Sequence, residues 1–265
     1  MQGKIRHLAG FIVIVGLLTL TLSAQNATSN VTGGKHDLSL FGNSNFQYNS
    51  QQPCIFCHTP HAANNNKVYT TNPNTRTDTG TGNAAMGGRF LWNRALPDRA
   101  WTVYSSTTMN HAVPGTPGTL SLMCLSCHDG VGAMNVLINN AGSGFGTNPA
   151  SVGIAQNQFG DFALSDPNMG PLNVGDAVIT GDTITSGGGD LQNDHPIGFV
   201  YNDTLDTGLK PISGMDARLQ TRFGITSNRL ECSTCHDPHM TNTGGNMFLV
   251  MPNSGSALCL SCHNK

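Results

Sequence analysis

Charged and aromatic side chains are scarce in this chain of 265 residues. Asp, Glu, Lys and Arg together make up 11% of it, and Phe, Trp and Tyr make up 6%, whereas about 25% charged residues are usual in a globular domain. The formal net charge is −2, and the sequence has no basic cluster of the kind that binding nucleic acid requires. We therefore expect no nucleic-acid partner, and a neutral, polar surface that tolerates close self-association.

Sustained apolar periodicity is also missing. Stretches such as 139–195 are rich in Gly, Asn, Asp and Thr, and they show neither the period of an amphipathic helix nor the alternation of a half-buried strand. The side chains alone therefore do not predict an ordinary hydrophobic core, and some other group has to fill the interior.

The long apolar run of this chain lies at its N-terminus. Lys4 and Arg6 come first, the run extends from Leu8 to Leu22, and a small residue, Ala24, follows. This order is typical of a secretory signal peptide, and the run is short for a membrane span. We expect cleavage after Ala24, with an uncleaved anchor as the alternative. The mature chain would have no membrane span and would carry 11 basic and 15 acidic residues, a net charge of −4.

No cysteine stands outside a single repeated motif, Cys-x-x-Cys-His, which occurs four times and contains all eight cysteines. The copies are motif 1 (Cys54, Cys57, His58), motif 2 (Cys124, Cys127, His128), motif 3 (Cys232, Cys235, His236) and motif 4 (Cys259, Cys262, His263). In such a motif the two thiols attach a porphyrin covalently, and the histidine becomes an axial ligand of its iron. Half a zinc site, a thioredoxin-like pair or a disulfide framework also uses paired cysteines, but none of these requires the histidine. The sequence therefore predicts four haem c groups.

The motifs alternate between two types. Motifs 1 and 3 continue as Cys-His58-Thr-Pro-His61 and Cys-His236-Asp-Pro-His239, whereas motifs 2 and 4 share Ser-x-x-Cys-Leu-Ser-Cys-His. A duplicated two-haem unit explains this order. We predict a signal peptide at 1–24, an N-terminal arm with the first two-haem unit at 25–131, a Gly/Asn/Asp-rich intervening segment at 132–225 and a second two-haem unit at 226–265. Residues 25–265 are expected to form one haem-packed domain.

Most of the mature chain is expected to be irregular coil wrapped around four haems, with a few short α-helices and minor β-structure. We predict short helices at the haem motifs, with Ser121, Ser227 and Ser256 as their N-caps, and a further helix over 84–96. A hairpin is predicted over 177–185. The apoprotein should be close to unfolded, because strong binding of a ligand to the folded state is coupled to folding.

Each iron needs a second axial ligand, and the histidines outside the motifs nearly match that number. Besides His7 in the signal peptide, they are His36, His61, His111, His195 and His239. His61 and His239 follow their own motif histidines too closely to reach the opposite face of the same porphyrin. The proline before each one holds the chain extended and directs it towards a neighbouring haem.

His195 precedes a proline that stiffens it in the same way, and His36 lies in a Gly-rich arm that could reach an exposed iron. We predict His36, His61, His195 and His239 as the distal ligands of four bis-His irons. His111 is left out because its loop has no partner in the repeat. Methionine is the competing ligand, but the methionines scatter without the symmetry of the repeat.

Taken together, the motifs resemble a known family. Cys-x-x-Cys-His-x-Pro-His followed by Cys-Leu-Ser-Cys-His, with Lys35–Ser39 ahead of motif 1 and Asp194–Ile197 ahead of motif 3, is similar to the secreted tetrahaem cytochromes of the OmcE type. The resemblance implies extracellular filaments with a continuous haem stack, in which one subunit donates an axial histidine to the next. His36 or another distal histidine would then cross the interface between subunits.

With imidazole in both axial positions, no iron is open to a substrate, so the sequence predicts electron transfer and no enzymatic activity. We expect a secreted filament outside the cell or on its surface, and redox partner cytochromes or extracellular acceptors as its partners. One alternative is a monomeric periplasmic tetrahaem shuttle. The other is a multihaem reductase of the nitrite or hydroxylamine type, which needs an iron with an open position.

Overall fold

Irregular backbone predominates in the computed structural model of the chain. It describes residues 31–39, 52–61, 63–64, 67–69, 77–78, 90–98, 101–112, 116–129, 137–139, 189–192, 194–240 and 248–264. Within these ranges there are four short α-helices and five strands of two or three residues, which confirms the predicted low regularity of the fold. None of the helices described there is long and apolar enough to cross a lipid bilayer. The predicted signal peptide and the hairpin over 177–185 lie outside the described residues.

The strands form two small sheets. In the first, β1 (Lys67–Tyr69) pairs antiparallel with β2 (Thr77–Asp78) and parallel with β3 (Leu96–Pro97). In the second, β4 (Trp101–Val103) pairs parallel with β5 (Gly189–Leu191). The β4–β5 pairing brings the chain that leads into the second half of the protein beside the segment that leads into motif 2.

Helices carry three of the four haem motifs. The four helices are α1 (Thr119–His128), α2 (Ala217–Ile225), α3 (Cys232–Cys235) and α4 (Ala257–Cys262). Motif 2 forms the C-terminal end of α1, the cysteine pair of motif 3 spans α3 and that of motif 4 ends α4, so the prediction of short helices is confirmed for them. Motif 1 is a turn instead, in which the backbone N–H of His58 donates to the carbonyl of Cys54 at 2.7 Å.

The serine caps predicted for these helices are wrong at α1 and α3. Gly118 precedes α1, and Ser121 lies inside the helix with its hydroxyl directed to another partner, the carboxylate of Glu231. Glu231 itself caps α3, whereas Ser227 lies in a turn with a positive φ of 54°. Ser256 does precede α4, but its side chain makes no capping hydrogen bond.

The helix predicted over 84–96 is wrong for its described part, residues 90–96. Leu91 has a positive φ of 55°, and the segment runs beside motif 1. The N–H of Thr59 donates to the carbonyl of Leu91 and that of Asn93 to the carbonyl of Cys57, both at 2.8 Å. Because these backbone groups bond to motif 1, they are not available for a helical ladder.

Two small clusters of apolar side chains form the described core. The larger packs α2 and α4 against the chain around Phe199 and Val250, and the smaller packs α1 against β3, β4 and β5. Sequence reasoning missed α2, which has Asp216 as its N-cap and places Leu219 and Phe223 one helical turn apart on its buried face. Motifs 3 and 4 border the larger cluster through Cys235 and Cys262, and motif 2 borders the smaller cluster through the buried face of α1.

Candidate functional site

Three of the four motif histidines face a second histidine across a gap of similar width. The ring centroids are 6.1 Å apart for His58 and His239, 6.0 Å for His128 and His36, and 6.4 Å for His263 and His195. An imidazole nitrogen binds a metal at about 2 Å and lies about 1 Å from its ring centre, so two imidazoles on opposite sides of one iron have centroids about 6 Å apart. Each gap therefore fits one bis-His iron.

The three pairs differ in the angle between their ring planes. This angle is 14° for His58 and His239, so these two rings are nearly parallel. It is 80° for His36 and His128 and 68° for His195 and His263, so those rings are nearly perpendicular.

Hydrogen bonds at Nδ1 orient one or both rings in two of these pairs. His58 pairs its Nδ1 with the carbonyl of Phe90 at 2.7 Å, and His239 pairs its Nδ1 with the Asp237 carboxylate at 2.9 Å. His195 pairs its Nδ1 with the carbonyl of Pro196 at 3.0 Å. Because these acceptors require the proton on Nδ1, Nε2 keeps its lone pair for a metal.

His36 remains a neutral imidazole for a different reason. Burial, and then the nearby His128 and His239, lower its pKa to about 4. A neutral imidazole is the form that binds a metal. His36 lies opposite His128 of its own chain, and its predicted role in a neighbouring subunit stays a prediction.

His236 and His61 are the two predicted ligands left over. Neither ring faces another histidine in the part of the chain that the structure describes, and both side chains are exposed. The backbone of His61 is fixed, because its carbonyl accepts from the hydroxyl of Thr59 at 3.0 Å and from the amide of Asn139. The chain thus offers one motif histidine without a distal partner and one distal histidine without a motif partner.

His111 lies in the larger apolar cluster. Its ring centroid is 4.8 Å from that of Phe199, and its Nε2 accepts a hydrogen bond from the backbone N–H of Asn202 at 3.1 Å. The nitrogen that would bind a metal is therefore engaged with the protein. The structure places this histidine apart from the three facing pairs.

Electrostatic interactions between thiols link the four motifs in chain order. Burial, and then the proximity of Cys127 in motif 2, raise the pKa of Cys57 to about 12. Cys124 of motif 2 shares a hydrogen bond with Cys232 of motif 3, which raises the pKa of Cys124. Burial and then the proximity of Cys262 in motif 4 raise the pKa of Cys235 in motif 3 to about 12. Motif 1 therefore adjoins motif 2, motif 2 adjoins motif 3, and motif 3 adjoins motif 4.

The rival uses of paired cysteines find no support in this arrangement. All eight cysteines are free thiols in the described part of the chain. Among the described residues, which include every motif, no group of three or more His, Cys, Asp or Glu side chains could hold a metal ion by itself. Each motif presents two thiols and an imidazole, the set that covalent attachment of a haem requires.

A buried carboxylate joins motifs 2 and 3. The side chain of Glu231 is 3% exposed and accepts from the hydroxyl of Ser121 and from Nε of Arg229, the latter at 3.1 Å. The same hydroxyl of Ser121 accepts from the N–H of Cys232 at 3.0 Å. Sequence reasoning missed Glu231, and it assigned Ser121 to a helix cap because the serine stands three residues before a cysteine pair.

A family comparison covers the C-terminal part of the chain. Residues 226–265, which contain motifs 3 and 4 with α3 and α4, match the family described as the doubled CXXCH motif. No curated protein matches the chain. The doubled motif implies covalently bound haem c, and it supports a multihaem c-type cytochrome that transfers electrons.

Proposed function

We propose that this protein is a tetrahaem bis-His cytochrome that polymerises into an extracellular filament and exports respiratory electrons. The observation that carries the proposal is the set of three facing histidine pairs, each with a centroid distance of 6.0 to 6.4 Å. When bound, the haem groups supply reversible one-electron chemistry at iron. The chain supplies the axial imidazoles, the spacing and the surroundings that set the potentials.

The order of the motifs supports a continuous path for electrons. Cys57 lies near Cys127, Cys124 contacts Cys232, and Cys235 lies near Cys262. Porphyrins attached to neighbouring thiols would themselves be neighbours. An electron could then pass through the motifs in the order 1, 2, 3 and 4 without leaving the protein.

The two leftover histidines support polymerisation. His61 lacks a facing histidine and so does His236, within the ranges that the structure covers. In a filament, His61 of one subunit would complete the iron held by His236 of the next subunit. Assembly would then be coupled to ligation, because neither subunit completes that iron alone.

Replacing His61 by Met tests this assignment, with His36→Met as the matched control. Each substitution removes one distal imidazole and leaves all four attachment motifs intact. We expect both variants to carry four haems by mass spectrometry. Electron microscopy should show filaments for His36→Met, whose lost ligand belongs to its own chain, but none for His61→Met.

Two outcomes contradict the proposal. Filaments of normal length from His61→Met would remove this residue as the link between subunits. A native protein that elutes as a monomer and shows four low-spin irons would favour the periplasmic shuttle. A high-spin ferric signal in the native protein would instead indicate an open iron at His236, the position that a multihaem reductase requires.

A further inference from the structure

The ligand His239 is bonded to a carboxylate that in turn is bonded to an arginine. Oδ1 of Asp237 pairs with Nδ1 of His239 at 2.9 Å and also accepts from the backbone N–H of His239 at 2.9 Å. Oδ2 of Asp237 accepts from the guanidinium of Arg222. The carboxylate is held from both sides, and its side chain is 13% exposed.

Among the facing pairs, His58 and His195 have neutral carbonyl oxygens as their Nδ1 partners instead. His195 pairs with the carbonyl of Pro196, which is neutral. In the first copy of the repeat, Thr59 stands where Asp237 stands in the second, and its hydroxyl donates to the carbonyl of His61. The duplicated sequence thus differs at the residue that decides whether the distal histidine receives a negative charge.

We propose that Asp237 is a positioning residue that strengthens His239 as a ligand and lowers the reduction potential of the iron between His58 and His239. The inference rests on the proposed function, in which these two histidines hold one iron. A carboxylate bonded to Nδ1 pulls the proton away from the ring and increases the electron donation from Nε2. Increased donation stabilises ferric over ferrous iron, so the potential of that haem falls.

Arg222 limits this effect by balancing the charge of Asp237. Its position is fixed because α2 buries Leu219 and Phe223 on either side of it in sequence. The salt bridge with Arg222 and the hydrogen bond from His239 both hold the pKa of Asp237 well below its usual range, the bond from His239 having the larger effect. Removing the arginine should therefore leave a more strongly donating carboxylate.

Two substitutions with opposite expected shifts test the proposal. Asp237→Asn keeps an acceptor for Nδ1 but removes the charge, so the midpoint potential of this haem should rise. Arg222→Gln leaves the carboxylate uncompensated, so the potential should fall. The near-parallel rings of this pair would give its ferric iron a rhombic low-spin EPR signal, and a redox titration followed on that signal separates this haem from the other two that have facing pairs. Asp237→Thr, which copies motif 1, should act like Asp237→Asn.

A purely structural role of Asp237 predicts different shifts of the midpoint potential. If the ion pair only holds the loop in place, both substitutions loosen it and shift the midpoint in the same direction, which would overturn the proposal. Unchanged midpoints in both variants would overturn it as well. His239→Met separates this failure from failure of the proposed ligation: if the rhombic signal survives that substitution, His239 does not bind this iron.

Discussion

The angle between two imidazole planes is a property of single residues that can be observed in solution. His58 and His239 lie at 14°, whereas His36 and His128 lie at 80° and His195 and His263 at 68°. Ferric haems with parallel axial rings give rhombic EPR spectra, and those with perpendicular rings give a single feature at large g. In the proposed function, the different ring orientations would therefore distinguish these irons, although all would carry the same pair of ligand types.

We predict one rhombic signal and two large-g signals from these three irons in the oxidised protein. His239→Met should remove the rhombic signal alone, and His36→Met should remove one of the large-g signals. His111→Gln serves as the control, because glutamine keeps an acceptor for the N–H of Asn202, and it should leave all signals unchanged. Loss of an EPR signal in the His111 variant would mean that His111 and not one of the four predicted histidines binds an iron.

The sequence predicts which histidines are candidate ligands, but it does not predict which of them face one another. The histidine after each cysteine pair and the surplus histidines are local features of the chain. The facing of His58 with His239 is a contact between the two halves of the protein, and no local pattern specifies it. Asp237 was visible only as the residue before a proline, since its role depends on Arg222 from α2.

Between secondary-structure elements, the contact of α1 with α3 depends on Glu231. Its carboxylate accepts from Ser121 in α1 and caps the backbone of α3, so one side chain satisfies groups on both helices. Gly118 lies against the carboxylate of Glu231, and a Cβ at position 118 would come within 1.8 Å of its Oε1. The close approach of the two helices therefore requires both the glycine and the carboxylate.

We predict that Glu231→Ala lowers the free energy of unfolding by about 1–3 kcal/mol, because it leaves buried donors on both helices without their acceptor. Gly118→Ala should destabilise the protein by displacing the carboxylate. In the double variant the clash disappears, so Gly118→Ala should cost much less in the Glu231→Ala background. Denaturant unfolding of the holoprotein measures the free energy of unfolding of the two single variants and the double variant.

Gly224→Ala is the control for this cycle. Gly224 lies on the exposed side of α2, where a Cβ meets no atom within 4 Å, and alanine favours a helix over glycine by about 1 kcal/mol. This variant should be as stable as the native protein or more so. Strictly additive effects of Gly118→Ala and Glu231→Ala would show that the two residues do not act through one contact.

The same dependence on distant partners explains why the elements were predicted unevenly. The helices at motifs 2, 3 and 4 follow from local sequence and were predicted. Residues 90–96 have apolar residues suited to a helix, but their backbone bonds to motif 1. Ser121 resembles a helix cap locally, yet its hydroxyl serves Glu231 from the other half of the chain. Where a backbone or side-chain group bonds to a partner that is distant in sequence, the local sequence pattern no longer predicts the structure at that residue.

At the scale of the whole molecule, the described side-chain core includes two small clusters, with motifs 2, 3 and 4 at their edges. The scarcity of apolar periodicity predicted such a limited core. In the proposed function the porphyrins complete it, and their contribution depends on their place in the series. Motif 2 adjoins motif 1 through Cys127 and motif 3 through Cys124, whereas motif 4 adjoins motif 3 and its Cys259 is exposed.

We predict that losing the haem of motif 2 destabilises the protein more than losing the haem of motif 4. Replacing Cys124 and Cys127 by Ala removes the covalent attachment at a site enclosed by two neighbours, and α1 buries Leu122 and Leu125 beside it. Replacing Cys259 and Cys262 by Ala is the matched change at the end of the series. Because bound groups stabilise the folded state that holds them, the first variant should show the larger fall in Tm.

Circular dichroism measures the difference in Tm between the motif 2 and motif 4 variants, once mass spectrometry has shown three attached haems in each. The comparison is controlled for the number of lost thiols and lost haems, so only the position in the series differs. An equal fall in Tm for the two variants, or a larger fall for the motif 4 variant, would contradict the linear order inferred from the contacts between thiols. A greater loss at motif 2 would mean that an enclosed porphyrin supports the chain on both of its sides, as the interior of a protein with so few apolar residues requires.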